Sequence, residues 1–342
     1  MKLRKVCDLK GGEVLAKAIL TTDYRILLSE ETTLRPEYIE KIKDLGITEV
    51  YIKEQELVLA QEVLLLKSEL EESFKQKVKT VIEKHTYNNS QELMELANTA
   101  DHIIDNILEE NEVVEKIFDI RERSSDIYEH SISLCSLATL TALRMKLSME
   151  RVHDIGVGSL LHDLGLRYLT INYENQNLDS LSKVELAEYM KHPVYGYWAV
   201  KNESWISNIG KSIILYHHER IDGSGYPLKA KEIPVEAAIV GVCDAFDEMI
   251  CGIGCKRVKV YEAVEYMKTY RGSKFPKDIV DTFLEFTAVY PVGSKVLLTD
   301  NRIGSVIRQN KEFPNRPVVQ LNNKEIVDLI KINNVFIEKV LE

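Results

Sequence analysis

Two His-Asp dipeptides stand nine residues apart in the segment RVHDIGVGSLLHDLG, at His153-Asp154 and His162-Asp163. Imidazole nitrogens and carboxylate oxygens together suit divalent ions such as iron and manganese. On a helix that turns about 100° per residue, nine residues amount to about 900°, so the two pairs face opposite sides. At most one of them can therefore belong to a buried site.

The second pair is the better ligand candidate. The residues that precede His162 on or beside its helix face are small or apolar, namely Ile155, Gly158 and Leu161. Such neighbours predict that the His162 side chain is buried. The pair also falls near the end of the predicted helix, where the helix dipole favours a cation. His153-Asp154 lies in the first turns among polar residues, and we expect it to be solvated.

His130 stands on an apolar stripe of a predicted helix, with Leu134 and Leu137 following at helical spacing. Asp126 lies four residues earlier and shares the same helix face. The two side chains could be metal ligands, or they could form an internal Asp–His hydrogen bond. The residues alone leave both readings open.

Further candidates follow downstream. His192 precedes a proline, and His217 and His218 end an apolar helical stretch just before a glycine-rich loop. Adjacent histidines point about 100° apart on a helix, so both could reach one multinuclear centre. Asp244 and Asp247 lie in an apolar run, where an unpaired buried carboxylate is costly and coordination of a metal would offset that cost.

Four regions are expected along the chain. Residues 1–53 predict a small α+β module, and residues 54–120 predict long charged helices that link domains. Residues 121–290 are mainly helical, and residues 291–342 form short β-branched runs between turns, typical of a small β-rich unit. The protein is therefore predicted to be mainly α.

An apolar stripe runs through the linker at Val63, Leu66, Leu70, Phe74 and Val78. Such a stripe is typical of a helix that packs between domains or against a second copy of the chain. We expect a homodimer through this region.

The overall composition limits the classes of function. A net charge of −10 argues against a dedicated DNA or RNA binder. The sequence contains no apolar run of about 18–20 residues that could span a bilayer and no signal-peptide pattern at its start, so we expect a cytoplasmic protein without membrane insertion. Five cysteines without a CxxC pair argue against a disulfide framework.

The helical half of the chain resembles the HD-GYP subgroup of the HD metal-dependent phosphohydrolases. The matching segments occur in order: EHS at 129–131, LLHDLG at 160–165, KHPVYG at 191–196, HHERIDGSGYP at 217–227 and CDAFDEM at 243–249. The resemblance implies an HD-type helical bundle with two or three iron or manganese ions. It also implies hydrolysis of cyclic di-GMP to pGpG, and in some members to GMP, by a metal-bridged hydroxide.

The resemblance assigns roles position by position. Asp163 and His192 are predicted to be catalytic. The implied metal ligands are Asp126, His130, His162, Asp163, His192, His217, His218 and Asp244. The implied substrate-binding residues are Arg220, Asp222, Gly225, Tyr226, Pro227 and Lys256.

Three departures from the family pattern matter for function, and two of them remove a charge. Leu166 stands where the family usually has a lysine, Ile253 stands where it often has an arginine, and Asp126 is shorter than the expected glutamate. Each lost charged hydrogen bond to phosphate is worth roughly 1.5–3 kcal/mol. The sequence thus predicts a phosphodiesterase slowed by weak phosphate contacts. The alternatives are a degenerate domain that binds cyclic di-GMP or another nucleotide as a receptor, and a phosphohydrolase of the wider HD class.

Overall fold

The computed structural model describes residues 2–20, 26–53, 68–84, 90–109, 120, 124–172, 177–310 and 313–341. The chain divides into two compact units. The first comprises residues 1–61 with 122–124, and the second comprises residues 62–121 and 125–342.

The first unit is a small α+β module, as predicted. Pro36 opens its helix α1, where a missing N–H costs nothing, and Gly46 follows the helix end with a positive φ of 75°. Strand β5 then alternates buried and half-buried side chains and lies between β1 and β2 in an antiparallel sheet. The elements of this unit are β1 Lys2–Lys5, β2 Val14–Leu15, β3 Ile19–Leu20, β4 Ile26–Leu28, α1 Pro36–Asp44 and β5 Glu49–Lys53.

The second unit begins with a helical bundle. Its α-helices are α2 Ser68–Lys84, α3 Ser90–Glu109, α4 Ile127–Arg144, α5 Met149–Leu161, α6 Lys183–Tyr189, α7 His192–Val200, α8 Asn208–Tyr216, α9 Val235–Cys251, α10 Val260–Tyr270 and α11 Lys277–Phe286. A short 3-10 helix, Leu164–Tyr168, follows α5. This mainly helical architecture agrees with the predicted fold class.

Helices α4 and α9 form the centre of this bundle. Both are buried on nearly every face, and α5 and α8 pack against them. A helix that is apolar all round belongs in a core. The polar residues on these two helices are consequently the unusual ones, and they include His130, Asp244 and Asp247.

The chain ends in an antiparallel sheet with the strand order β10-β6-β7-β8-β9. Val296, Val306 and Val319 fill its buried face. The sequence predicted this β-rich unit from its short β-branched runs. The strands are β6 Lys295–Leu298, β7 Ile303–Arg308, β8 Val318–Leu321, β9 Ile326–Asp328 and β10 Ile337–Leu341.

Part of the apolar stripe that was expected to form a dimer interface packs inside the chain instead. Phe74 and Val78 are buried in the core of the second unit. Val63 and Leu66 lie outside the described residues, as does the side chain of Leu70. Homodimerisation stays a prediction. Among the described segments, no helix combines the length and apolar character needed to cross a bilayer.

Candidate metal centre

Three buried histidines present the same nitrogen to one interior point. Nδ1 of His162 lies 2.7 Å from the carbonyl oxygen of Ser159, and Nδ1 of His192 lies 2.9 Å from that of Tyr189. His217 repeats the pattern, with its Nδ1 2.9 Å from the carbonyl of Ile214. Because a carbonyl can only accept, each Nδ1 carries the proton and each Nε2 presents its lone pair to the interior.

His130 reaches the same point from α4. Its Nδ1 lies 2.8 Å from Oδ2 of Asp247, and its Nε2 lies 3.1 Å from Oδ1 of Asp244 and 3.3 Å from Nε2 of His162. Asp247 also accepts hydrogen bonds from Ser133 Oγ at 2.8 Å and from Cys251 Sγ at 3.5 Å. Asp247 therefore fixes the orientation of the His130 ring, as outer-shell carboxylates do around metal ligands.

Asp163 joins two groups of donors. Its Oδ2 lies 3.2 Å from Nε2 of His162, and its Oδ1 lies 3.3 Å from Nε2 of His192. One group comprises His130, His162 and Asp163, with Asp244 beside it. The other comprises Asp163, His192, His217 and His218.

A third group lies next to these two and was only partly expected. It comprises His218, Asp244 and Glu248, whose ligand atoms lie within 4.8 Å of one another. Oδ2 of Asp244 is buried, lies 3.6 Å from Nδ1 of His218 and has no hydrogen-bond partner among the described residues. An unsatisfied buried carboxylate oxygen is costly, and a bound cation is a natural partner for it.

The donor set fits metal ions. Nε2 of His192 and Nε2 of His217 lie 3.3 Å apart, although both present lone pairs. Burial lowers the pKa of His217 to about 3 and also lowers that of His192, so no proton lies between the two rings at neutral pH. Lone pairs that converge without a proton are satisfied by a cation, and mixed imidazole and carboxylate ligands suit iron or manganese.

The carboxylates of Asp163, Asp244 and Asp247 shift the pKa values of the cluster. Burial alone would lower the pKa of His130, but hydrogen bonds to Asp244 and Asp247 raise it well above its usual value. Burial would raise the pKa of Asp163, but the neighbouring His162 and His192 hold it well below the usual range. The site therefore attracts positive charge, and a metal ion competes with protons for the same lone pairs.

The glycine loop after α8 lies against this centre. The ring of Tyr226 stacks on His218, with 4.6 Å between ring centroids. Gly225 packs against the backbone at the start of the loop. A Cβ at this position would lie only 2.5 Å from the carbonyl oxygen of His218. Glu219 holds the far side of the loop by accepting from the N–H groups of Leu228 and Ala230.

The predicted substrate-binding residues are only partly brought together. Tyr226, followed by Pro227, adjoins the cluster. Nη1 of Arg220 donates to the carbonyl oxygens of His217 and Glu219, so the guanidinium group braces the loop. Asp222 is exposed and accepts from the N–H of Ser224 in a local turn.

The positions that lack family charges are apolar and packed. Leu166 is 3% exposed in the 3-10 helix that follows Asp163, and Ile253 packs against the core of the bundle. Lys256 is exposed in the loop after α9. Neither Leu166 nor Ile253 offers a charge to a phosphate.

Asp126 does not belong to any of the three groups of ligand atoms found among the described residues, and its role as a metal ligand stays a prediction. Asp126 is the N-cap of α4, and its carboxylate accepts from the N–H groups of Tyr128 and Glu129. Its other oxygen lies 2.9 Å from Nζ of Lys75 on α2. Both oxygens are therefore engaged away from the cluster.

The structure separates the two His-Asp pairs as the helix periodicity predicted. His162 is 1% exposed and belongs to the cluster. The His153 side chain is 36% exposed, and its Nδ1 lies 2.6 Å from Asp101 on α3. Helix α5 ends at Leu161, so His162 and Asp163 lie just beyond its last turn.

We expect Asp247→Asn to weaken metal binding at the His130 group by about 10–100-fold, the usual cost of losing an outer-shell carboxylate. The substitution removes the charge that holds Nδ1–H of His130 while conserving side-chain volume. Manganese titration calorimetry would measure the effect. Ser136→Ala is the matched control, because Ser136 lies on α4 with His130 and bonds only the carbonyl of Ile132 in the described contacts. Equal affinities in both variants would contradict the orienting role.

Comparison with known proteins points to one family. The HD domain family matches residues 112–279. The chain is 30% identical over 196 residues to a cyclic di-GMP phosphodiesterase of Pseudomonas aeruginosa, covering 56% of this chain and 47% of the relative. It is 31% identical over 227 residues to a cyclic di-GMP phosphodiesterase of Thermotoga maritima, covering 60% of each. The matches thus span roughly half of these relatives' lengths.

A solved structure shares the fold. An HDG"Y"P protein from Bdellovibrio bacteriovorus superposes with a TM-score of 0.56 at 20% sequence identity, covering 82% of this chain and 97% of that protein. The superposed region therefore includes more of this chain than the helical bundle alone.

Proposed function

We propose that this protein is a metal-dependent phosphodiesterase of the HD-GYP type that hydrolyses cyclic di-GMP to pGpG or to GMP, because the HD domain family matches residues 112–279. The observation that carries the proposal is the set of buried imidazole and carboxylate groups that converge around Asp163. The names of the curated relatives support cyclic di-GMP as the substrate.

The ligand residues divide into two sets in this proposal. His130, His162, Asp244 and Asp163 would hold one ion, while His192, His217, His218 and Asp163 would hold the second. When bound, two such ions lower the pKa of a coordinated water toward neutrality and neutralise phosphodiester charge. Asp163 and His192 would thereby be catalytic, as ligands of these ions.

Tyr226 is proposed to face the substrate. Burial and the charges of Glu248 and Asp244 raise the pKa of its hydroxyl well above the usual value, so the group stays protonated and can donate a hydrogen bond to a phosphate oxygen. Its ring, already stacked on His218, can also support a guanine base. The loop from Glu219 to Pro227 then forms one wall of the substrate site.

The test compares the two histidines of the doubled motif. We expect the anaerobically loaded iron or manganese protein to convert cyclic di-GMP to a linear product, and His162→Ala to abolish this conversion. His153→Ala is the matched control and is expected to keep full activity, because His153 lies at the surface. Chromatography of the products distinguishes pGpG from GMP. Loaded protein that leaves cyclic di-GMP intact over hours would refute the proposal.

A second candidate function is supported by Leu166 and Ile253. Both are packed apolar side chains where phosphate contacts are expected. A centre with few basic contacts could bind the nucleotide without turning it over, which would make the domain a receptor. Calorimetry that gives tight cyclic di-GMP binding, with no product under the same conditions, would favour this function over hydrolysis.

A further inference from the structure

Helix α2 lies outside the residues that the HD domain family matches, yet it contacts two elements that carry proposed metal ligands. The family match begins at residue 112, whereas α2 spans Ser68–Lys84. Phe74 and Val78 bury one face of α2 in the same core as the bundle. The two-ion mechanism proposed above uses no residue of this helix.

The first contact lies at the start of α4. Nζ of Lys75 lies 2.9 Å from Oδ2 of Asp126 and 4.0 Å from Oε2 of Glu129. Oδ1 of Asp126 accepts from the N–H groups of Tyr128 and Glu129, so this carboxylate caps the helix. The carbonyl oxygen of Asp126 accepts from the N–H of His130 at 2.9 Å. A single residue therefore connects Lys75 to the backbone of a proposed ligand.

Lys75 is largely shielded from solvent, with its side chain 22% exposed. Burial alone would lower the pKa of Lys75, but the carboxylates of Asp126 and Glu129 raise it above its usual value, and the ammonium group stays charged at neutral pH. One helical turn further along α2, Nζ of Lys79 lies 5.7 Å from the centre of the Tyr128 ring. Two side chains of α2 thus contact the same first turn of α4.

The second contact lies at the other end of α2. Nη1 of Arg167 donates to the carbonyl oxygen of Ile82. Ile82 belongs to the last turn of α2, where carbonyl groups have no partner within the helix and the helix dipole favours a cation. Arg167 lies in the 3-10 helix Leu164–Tyr168, which begins directly after Asp163. The positive charge that follows Leu166 is therefore used to contact α2.

We propose that Lys75 and Arg167 are positioning residues, which use α2 as a common support for the His130 and Asp163 sides of the metal centre. The role rests on the proposed function, because it concerns the ions of that centre. Lys75 fixes the turn that begins α4, and Arg167 fixes the segment that follows Asp163. Ligand atoms from two separate elements thereby keep their separation before an ion binds. Ligands held in this way bind an ion more tightly, because less order has to be gained on binding.

Manganese affinity tests the role of Lys75 without reference to activity. In titration calorimetry well below the unfolding temperature, Lys75→Met is expected to weaken the binding step that His130→Ala abolishes by about tenfold, as residues that support metal ligands do. Lys77→Met is the matched control, because it removes the same charge from the same helix. Nζ of Lys77 lies 5.8 Å from the ring centre of Phe74, within α2 itself. Equal affinities for Lys75→Met and Lys77→Met would overturn the proposal.

A conservative variant separates positioning from a general loss of stability. Lys75→Arg keeps a positive charge beside Asp126 and is expected to restore most of the manganese affinity. Lys75→Gln takes the place of Lys75→Met if that variant does not fold, and it is expected to bind as weakly. Thermal unfolding is measured on each variant. If affinity fell only in proportion to thermal stability across these variants, the effect would be structural alone and the positioning role would be wrong.

Arg167→Gln has a different expected result, because Asp163 serves both proposed ions. We expect both binding steps to weaken by about tenfold. Arg302→Gln is the control and is expected to leave both steps unchanged, since Arg302 pairs with Asp300 at 2.7 Å in the turn before β7. An effect of Arg167→Gln on one step alone, or on neither, would contradict the role of Arg167.

Turnover of cyclic di-GMP is measured separately, so that the two proposals can fail independently. Unchanged manganese affinities in variants of a protein that hydrolyses cyclic di-GMP would refute the positioning role and leave the proposed function standing. Weakened affinities in variants of a protein that shows no turnover would do the reverse.

Discussion

Asp163→Asn is expected to remove metal from both halves of the centre and to lower cyclic di-GMP turnover by about 10³-fold or more. The two oxygens of Asp163 face different histidine groups, with Oδ2 3.2 Å from His162 and Oδ1 3.3 Å from His192. An amide in its place leaves one neutral oxygen and an N–H₂ group that repels a cation. The two ions supply several kcal/mol of transition-state stabilisation, and each 1.36 kcal/mol changes the rate tenfold. Loss of both ions therefore implies a decrease in turnover of about 10³-fold or more.

Asp154→Asn is the matched control, because Asp154 occupies the same place in the other His-Asp pair. It lies on α5, outside the groups of ligand atoms found among the described residues, and is expected to leave metal content and turnover unchanged. Metal analysis and product chromatography on the two variants measure both effects. If Asp163→Asn lost only one ion, the carboxylate would serve a single position and the bridging geometry would be wrong.

The contrast between these two pairs was accessible from sequence because it depends on helix geometry alone. Nine residues place His153 and His162 on opposite faces whatever surrounds the helix. The apolar neighbours of His162 then indicate the buried face. The same reasoning applies to His130 and Asp244, which stand in apolar runs of helices that the structure places at the centre of the bundle.

Asp126 illustrates the limit of such reasoning. Its spacing from His130 places both residues on one helix face only if the helix extends back to Asp126, and the helix instead begins at Ile127. N-cap aspartates accept from the first free N–H groups, which consumes one oxygen. The partner of the other oxygen, Lys75, lies 51 positions earlier in the chain, and no local pattern connects the two.

Glu248 and Asp247 had a signal that the sequence analysis used only in part. Both follow Asp244 by three or four residues, which is the spacing of one helix face. The roles differ because the side chains diverge. Asp247 turns toward Ser133 and the Nδ1 of His130, whereas Glu248 lies toward His218. Spacing predicts a shared face, but only the packing of α4 and α8 around α9 assigns each carboxylate its partner.

Gly165→Ala is expected to disrupt the centre from a position that binds nothing. A Cβ at residue 165 would stand 1.8 Å from the carbonyl oxygen of His192 and 2.6 Å from the N of Gly196. Both are backbone atoms of α7, so the helix itself would have to move by more than an ångström. His192 begins that helix, and its Nε2 would leave Asp163. Misplacement by about 1 Å can cost 10²-fold in rate, and overpacking costs about 1–3 kcal/mol of stability.

Gly156→Ala tests whether that loss is specific to the contact with α7. Gly156 lies on α5 in the same bundle, and the nearest atoms to its added Cβ belong to side chains, with Ala100 at 3.3 Å and Cys135 at 3.5 Å. Alanine also favours a helix over glycine by about 1 kcal/mol, which offsets the tighter packing. We expect thermal unfolding and manganese content close to those of the unsubstituted protein for Gly156→Ala, and loss of the ion held by the His192 group for Gly165→Ala. Full metal content in Gly165→Ala would mean that α7 can shift without carrying His192 away, and that the cluster tolerates movement of the helix that supplies it.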